Sequence, residues 1–156
     1  MGTFQEQQGQ TNCNFCSAGT YIDNTGFKEC IKCAPGTFQP SSGTSSCIDC
    51  EPGSYQPDLG ESTCITCPKG NFCDTKTSTS CPTGTYNDKI GQNSEDACIP
   101  CPSGTFSMEI GATSNSTCLP CPSGTYNNET GKKKNYRNTD IILQYSFLFA
   151  LQKHDY

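Results

Sequence analysis

Fourteen of the 156 residues are cysteine. Twelve of them form six Cys-x-x-Cys pairs: Cys13/Cys16, Cys30/Cys33, Cys47/Cys50, Cys64/Cys67, Cys98/Cys101 and Cys118/Cys121. Cys73 and Cys81 stand outside this series. Thiols at such spacing support three chemistries. They can oxidise to structural disulfides, close a tetrahedral zinc site from two turns, or run thiol–disulfide exchange from one activated pair. The run Cys13-x2-Cys16-x13-Cys30-x2-Cys33 is close to a four-cysteine zinc spacing. The series, however, has no natural break into groups of four, and the sole histidine, His154, lies far from it. Exchange chemistry needs a pair at a helix N-terminus beside a sheet, and six pairs in turn-rich sequence do not offer that. Disulfides are the expected state of all fourteen cysteines, no metal site is expected, and a zinc-binding array inside the cell is the alternative.

The elements that position these cysteines follow from glycine. All 15 glycines fall in two slots of one repeating unit. The first holds Gly2, Gly19, Gly36, Gly53, Gly70, Gly84, Gly104 and Gly124, each followed two residues later by Phe or Tyr. Seven residues on, the second holds Gly9, Gly26, Gly43, Gly60, Gly91, Gly111 and Gly131, and only the unit at Gly70 lacks it. Such a period marks a repeat array before any other structural reading is made. Glycine in a turn slot supplies positive φ or close backbone approach, and a proline two residues earlier suits entry into the turn. The aromatic is each unit's one large apolar group and is expected to pack on a neighbouring disulfide or unit. The predicted fold is small and disulfide-rich: an elongated tandem array of short β-hairpins over 2–131, with little or no helix before residue 131. A unit this small depends on its neighbours and on crosslinks for order.

Composition narrows the function. Only 32% of residues are hydrophobic, so an ordinary enzyme core is not available. No nucleophile–base arrangement accompanies His154, so no catalytic residue and no cofactor is expected. A net charge of −5 disfavours nucleic acid. Asp23, Glu29, Asp49, Glu51, Asp58 and Glu61 read as a solvated acidic face without a contiguous calcium loop. No apolar run is long enough for a transmembrane helix, and no signal peptide is visible in residues 1–12. Two N-glycosylation sequons, at Asn115 and Asn128, fall in predicted surface turns.

The segments Cys50-Glu51-Pro52-Gly53-Ser54-Tyr55, Cys101-Pro102-Ser103-Gly104-Thr105-Phe106 and Cys121-Pro122-Ser123-Gly124-Thr125-Tyr126 resemble a known module. It is the ephrin type-A/B receptor-like cysteine-rich repeat, of the growth-factor-receptor cysteine-rich group, near EGF-like and TNF-receptor-like modules. The resemblance covers residues 2–131 and implies a disulfide-bonded, non-catalytic module at the cell surface or secreted, in a glycoprotein or membrane-anchored protein. Its partners would be a protein ligand or neighbouring domains of the same protein. Spacing leaves the connectivity open between two schemes. One pairs first to third and second to fourth: Cys13–Cys30, Cys16–Cys33, Cys47–Cys64, Cys50–Cys67, then Cys73–Cys81, Cys98–Cys118 and Cys101–Cys121. The other is a staircase, as in Cys16–Cys30 and Cys33–Cys47, which leaves Cys13 and Cys121 over. The first is preferred, because it is self-contained and has precedent in the family.

Both edges of the array are irregular. Met1 to Phe4 begin inside a unit, and the unit at Gly124 reaches Gly131 without delivering a Cys-x-x-Cys. The chain thus reads as a piece of a longer array whose secretion signal lies elsewhere. From Lys132 glycine, proline and cysteine vanish, and 132–156 reads as a non-repeat tail, disordered or foreign to the array. Within it, Ile141 to Leu151 is apolar at alternating positions but too short to span a bilayer. It suggests sequence mis-joined to the array, a membrane-surface segment behind Lys132-Lys133-Lys134, or a packing strand for the last unit.

Overall fold

The computed structural model describes residues 2–5, 12–24, 26, 28–127, 130–131 and 136–137. Among them it contains eight two-stranded sheets and two single 3-10 turns, Glu95–Ala97 and Asn115–Thr117. Seven sheets have antiparallel registers, and six of them follow one rule. The Thr/Ser-aromatic dipeptide after the first-slot glycine pairs with the two residues enclosed by a Cys-x-x-Cys. Thr20–Tyr21 thus pairs with Ile31–Lys32, Thr37–Phe38 with Ile48–Asp49, and Ser54–Tyr55 with Ile65–Thr66. Thr3–Phe4 with Asn14–Phe15, Thr85–Tyr86 with Ile99–Pro100, and Thr105–Phe106 with Leu119–Pro120 repeat it. In the irregular unit Asn71–Cys73 pairs with Ser78–Ser80.

Each hairpin is entered by a turn built from its sequence. In Ala34-Pro35-Gly36-Thr37, Pro35 holds the second place and Gly36 the third with φ of 87°, where only a glycine is comfortable. The Thr37 amide and hydroxyl both donate to the Ala34 carbonyl, at 3.0 and 2.8 Å. The same hydroxyl bond recurs from Thr20, Ser54, Thr85, Thr105 and Thr125. That double donation is why Thr or Ser follows the glycine.

Successive units are knitted by the main chain. The Gly19 amide donates to the Gln39 carbonyl at 2.7 Å, and the Gln39 amide donates to Glu61 at 3.2 Å. A second set of bonds skips a unit: Gly43 donates to the carbonyl of Cys16, Gly60 to Cys33, Gly91 to Cys67, Gly111 to Cys81 and Gly131 to Cys101, at 2.8–2.9 Å. The skipped contact is close. A Cβ on Gly19 would lie 1.9 Å from the Gly60 carbonyl oxygen, and one on Gly53 would lie 2.1 Å from that of Gly91. At Gly2, Gly19 and Gly53 the two glycine slots therefore meet backbone to backbone, two units apart.

Contacts divide the chain into two compact units, Met1–Thr79 with Lys89–Ala97 and Ser80–Asp88 with Cys98–Tyr156. The buried apolar residues described are eight cysteines, Ile22 and Ala112. The core is therefore largely sulfur, as a chain this poor in aliphatics requires. The aromatics expected to fill it are only half-buried; in every described unit after the first, the residue after the aromatic is the buried one. In a strand consecutive side chains face opposite ways, so the neighbour of the aromatic is the one turned inward. Beyond residue 131, Tyr136–Arg137 pairs with Thr125–Tyr126 in the register of the other hairpins. The hairpin of the last unit thus runs into the segment that composition assigns to the tail. The stretch 141–151 lies outside the described residues.

Candidate functional site

The residues to which the sequence assigns chemistry are the cysteines. Six bridges are present: Cys16–Cys30, Cys33–Cys47, Cys50–Cys64, Cys67–Cys73, Cys81–Cys98 and Cys101–Cys118. Their Cα–Cα distances of 5.5–5.9 Å are ordinary for a bridge. This is the staircase, and it overturns the preferred first-to-third, second-to-fourth scheme, including Cys73–Cys81. The physical reason is strand alternation. Two cysteines three residues apart on an extended segment point to opposite sides, so one sulfur reaches back and the other forward. The second cysteine is set first by its main chain, since the Cys33 amide donates to the Gly19 carbonyl at 2.9 Å. That places the sulfur of Cys16, Cys33, Cys67 or Cys101 in a fully buried position.

In the irregular unit the ladder takes a short step. Cys67 reaches Cys73, which occupies the inward slot after Phe72, and Cys81 carries the ladder on to Cys98. Cys13 and Cys121, expected to be bridged like the rest, are free. Cys121 has the same main-chain bond as its counterparts, to the Gly104 carbonyl at 3.0 Å. It faces a unit whose second strand, Tyr136–Arg137, is flanked in sequence by Asn135 and Asn138 where other units have cysteines. That unit forms its strand pair although a Cys-x-x-Cys is missing.

A second set of functional side chains was not recognised from the sequence. The inward slot after the aromatic holds Gln39, Gln56, Asn87, Ser107 and Asn127, all buried. A buried amide is tolerated only when its polar atoms are paired. Gln39 donates to the Ser46 carbonyl at 2.7 Å and accepts from the Ser41 amide at 3.1 Å. Gln56 does the same with Thr63 and Asp58, at 2.8 and 3.1 Å. Each amide therefore ties together the loop between the strands of its own hairpin. Asn127 instead donates to the Thr105 carbonyl at 2.9 Å, one unit back. The signal was present in register, because Gln or Asn recurs directly after the aromatic at positions 5, 39, 56, 87 and 127.

What remains on the described surface is mostly polar, with Phe15, Leu59, Ile90, Met108 and Ile110 as scattered apolar residues and one apolar position that recurs from unit to unit. The first residue inside each pair is exposed and aliphatic in five units: Ile31, Ile48, Ile65, Ile99 and Leu119. Each stands directly across the hairpin from a half-buried aromatic, as Ile48 does from Phe38. The acidic residues Asp23, Glu29, Asp49, Glu51, Asp58 and Glu61 are exposed as expected. Asp74 caps its own loop: its carboxylate accepts from the amides of Lys76 and Thr77, at 2.7 and 2.6 Å, and from the Thr77 hydroxyl. The Lys76 amide bond, then that of Thr77, holds its pKa below the ordinary 3.8. Among the described residues no group of three or more His, Cys, Asp or Glu is placed to hold a metal ion. No helix among them is long and apolar enough to cross a membrane. Asn115 is exposed in the second 3-10 turn, whereas Asn128 and His154 lie outside the described residues.

Comparison with known proteins agrees with this arrangement. No curated protein matches the chain. The family model described as tyrosine-protein kinase ephrin type A/B receptor-like matches three overlapping segments, residues 19–50, 41–80 and 75–118. Each segment takes in at least one complete hairpin and one rung of the disulfide ladder, Cys33–Cys47, Cys50–Cys64 and Cys81–Cys98 in turn. Together they run from residue 19 to residue 118, more than half of the sequence, and the chain belongs to the ephrin type A/B receptor-like family of cysteine-rich repeats.

Proposed function

We propose that this chain is a non-catalytic extracellular module that spaces other domains and offers its loops to a protein partner. One observation carries the reading: the regular slots are used up by folding. The glycines serve turns and the contact between alternate units. The cysteines form the ladder, and the amides close the loops. An array stabilised by covalent rungs requires an oxidising compartment, either the secretory route or the cell surface. The family supports the same location, since its repeats belong to receptor ectodomains. Each rung closing 14 to 17 residues is worth about 3 kcal/mol in the chain-entropy account.

Thiol counting combined with metal analysis on natively purified protein tests the reading. Two thiols are expected, Cys13 and Cys121, with no bound zinc. Many thiols with stoichiometric zinc would overturn the proposal in favour of an intracellular metal-binding array. Within the extracellular reading, a ligand-binding ectodomain is favoured over a passive spacer by the exposed aliphatic residues opposite the aromatics. Ile48 is 48% exposed and Ile65 45%, more than packing needs.

A further inference from the structure

The units opening at Gly84 and Gly104 are 20 residues long, three more than the 17-residue units before them. In each, a 3-10 turn stands immediately before the first cysteine of the pair: Glu95–Ala97 before Cys98, and Asn115–Thr117 before Cys118. No residue of either turn is buried. The second turn is itself an Asn-x-Thr sequon, so its chemistry differs from that of the first. Asn115 is exposed at the start of the turn. Ser114 caps it by accepting from the Ser116 amide at 3.1 Å. The Thr117 hydroxyl donates back to the Ser114 carbonyl at 2.9 Å, and the Cys118 amide donates to the Asn115 carbonyl at 3.0 Å. The next atoms along the chain belong to the Cys101–Cys118 rung.

We propose that Asn115 is an acceptor of N-linked oligosaccharide, and that its modification competes in time with closure of the Cys101–Cys118 bridge. The inference rests on the secretory location argued above. In the transfer, the Asn115 amide nitrogen forms a bond to C1 of an oligosaccharide carried on a lipid pyrophosphate. The C1–oxygen bond to the pyrophosphate breaks, the pyrophosphate leaves with the electron pair, and the amide gives up one proton. A sequon is read through its asparagine amide and its Thr hydroxyl together. In the folded turn that hydroxyl is committed to the Ser114 carbonyl, and the backbone around it is closed by two hydrogen bonds and a covalent rung. The substrate form is therefore the open loop, before Cys118 is bridged. Once attached, the glycan sits on a turn with no buried residue, so the finished fold accepts it.

The test directs the full chain through the secretory route of eukaryotic cells behind a cleavable leader, with Asn128→Gln present throughout. Glycan is read by endoglycosidase gel shift and peptide mapping of total lysate, so that retention of a misfolded variant hides nothing. A shift is expected that Asn115→Gln abolishes. The glycosylated fraction is expected to rise in Cys101→Ser, which removes the rung but leaves the sequon and Cys118 intact. No glycan on Asn115 in either background overturns the site. Equal fractions with and without Cys101, including full occupancy in both, overturn the competition. The same mapping reads the other rungs, so a chain whose bridges fail to form separates failure of the secretory reading from failure of the glycan site.

Discussion

The contact between alternate units can be broken by one methyl group. Gly19 adopts φ of +80°, and a Cβ there would sit 1.9 Å from the carbonyl oxygen of Gly60 and 2.6 Å from its carbon. Gly19→Ala therefore has two separable costs. An L-residue in the left-handed region costs about 1–2 kcal/mol. The collision then pushes the Gly60 segment away, which loosens the Gly60–Cys33 bond of 2.9 Å and the Gly19–Gln39 bond of 2.7 Å, each worth about 0.5–1.5 kcal/mol. The total is about 2–5 kcal/mol. Gly104 supplies the internal control, because it has φ of +79° in the same turn but nothing within 4 Å of its would-be Cβ. Gly104→Ala should therefore cost only the conformational part, about 1–2 kcal/mol. Repeat arrays open piecemeal, so the readout is native-state hydrogen exchange with the bridges intact. The Gly60 amide should exchange about tenfold faster or more in Gly19→Ala, tenfold corresponding to about 1.4 kcal/mol. The Cys121 amide, bonded to the Gly104 carbonyl at 3.0 Å as the Cys33 amide is to that of Gly19, should respond less to Gly104→Ala than the Cys33 amide does to Gly19→Ala. Equal effects of the two substitutions would refute the argument that the first slot is glycine because the second slot presses on it.

Three further outcomes follow from named contacts. Gln56→Leu removes the partner of the Thr63 carbonyl and the Asp58 amide and should cost about 1–3 kcal/mol for each group left unpaired, read as local loss of exchange protection in the 56–64 loop; unchanged protection would show the amide to be dispensable. Asn135 precedes Tyr136 as Cys118 precedes Leu119, so Asn135→Cys should complete the ladder with Cys121 and lower the thiol count from two to one, whereas three thiols would break the register argument. The Asp74 cap is held by a carboxylate whose pKa is depressed, so its contribution is in place above the ordinary value of 3.8 and is lost as pH falls through the lower folded value. Amide shifts of Lys76 and Thr77 should titrate with a midpoint below 3.8, and a midpoint at or above it would contradict the two amide bonds.

The sequence by itself determined the kind of molecule. Spacing of glycine, aromatic and cysteine showed the repeat, and the scarcity of aliphatics showed that sulfur had to serve as the core. Both are local properties: positive φ belongs to a turn, and composition needs no partner. The sequence did not determine who bridges whom, because Cys16 is close along the chain to both Cys30 and Cys33, and only the direction in which a strand turns each sulfur separates the two. The inward residue was misjudged for a similar reason. Tyr55 is larger and more apolar than Gln56, yet alternation faces Gln56 to the interior, where a loop carbonyl and amide meet its two ends. The partnership of Gly19 with Gly60 was equally hidden, since it joins units that are not adjacent. Tertiary structure decided those points because each depends on the direction a group faces across a gap between units, and periodicity along the chain has no information about that direction.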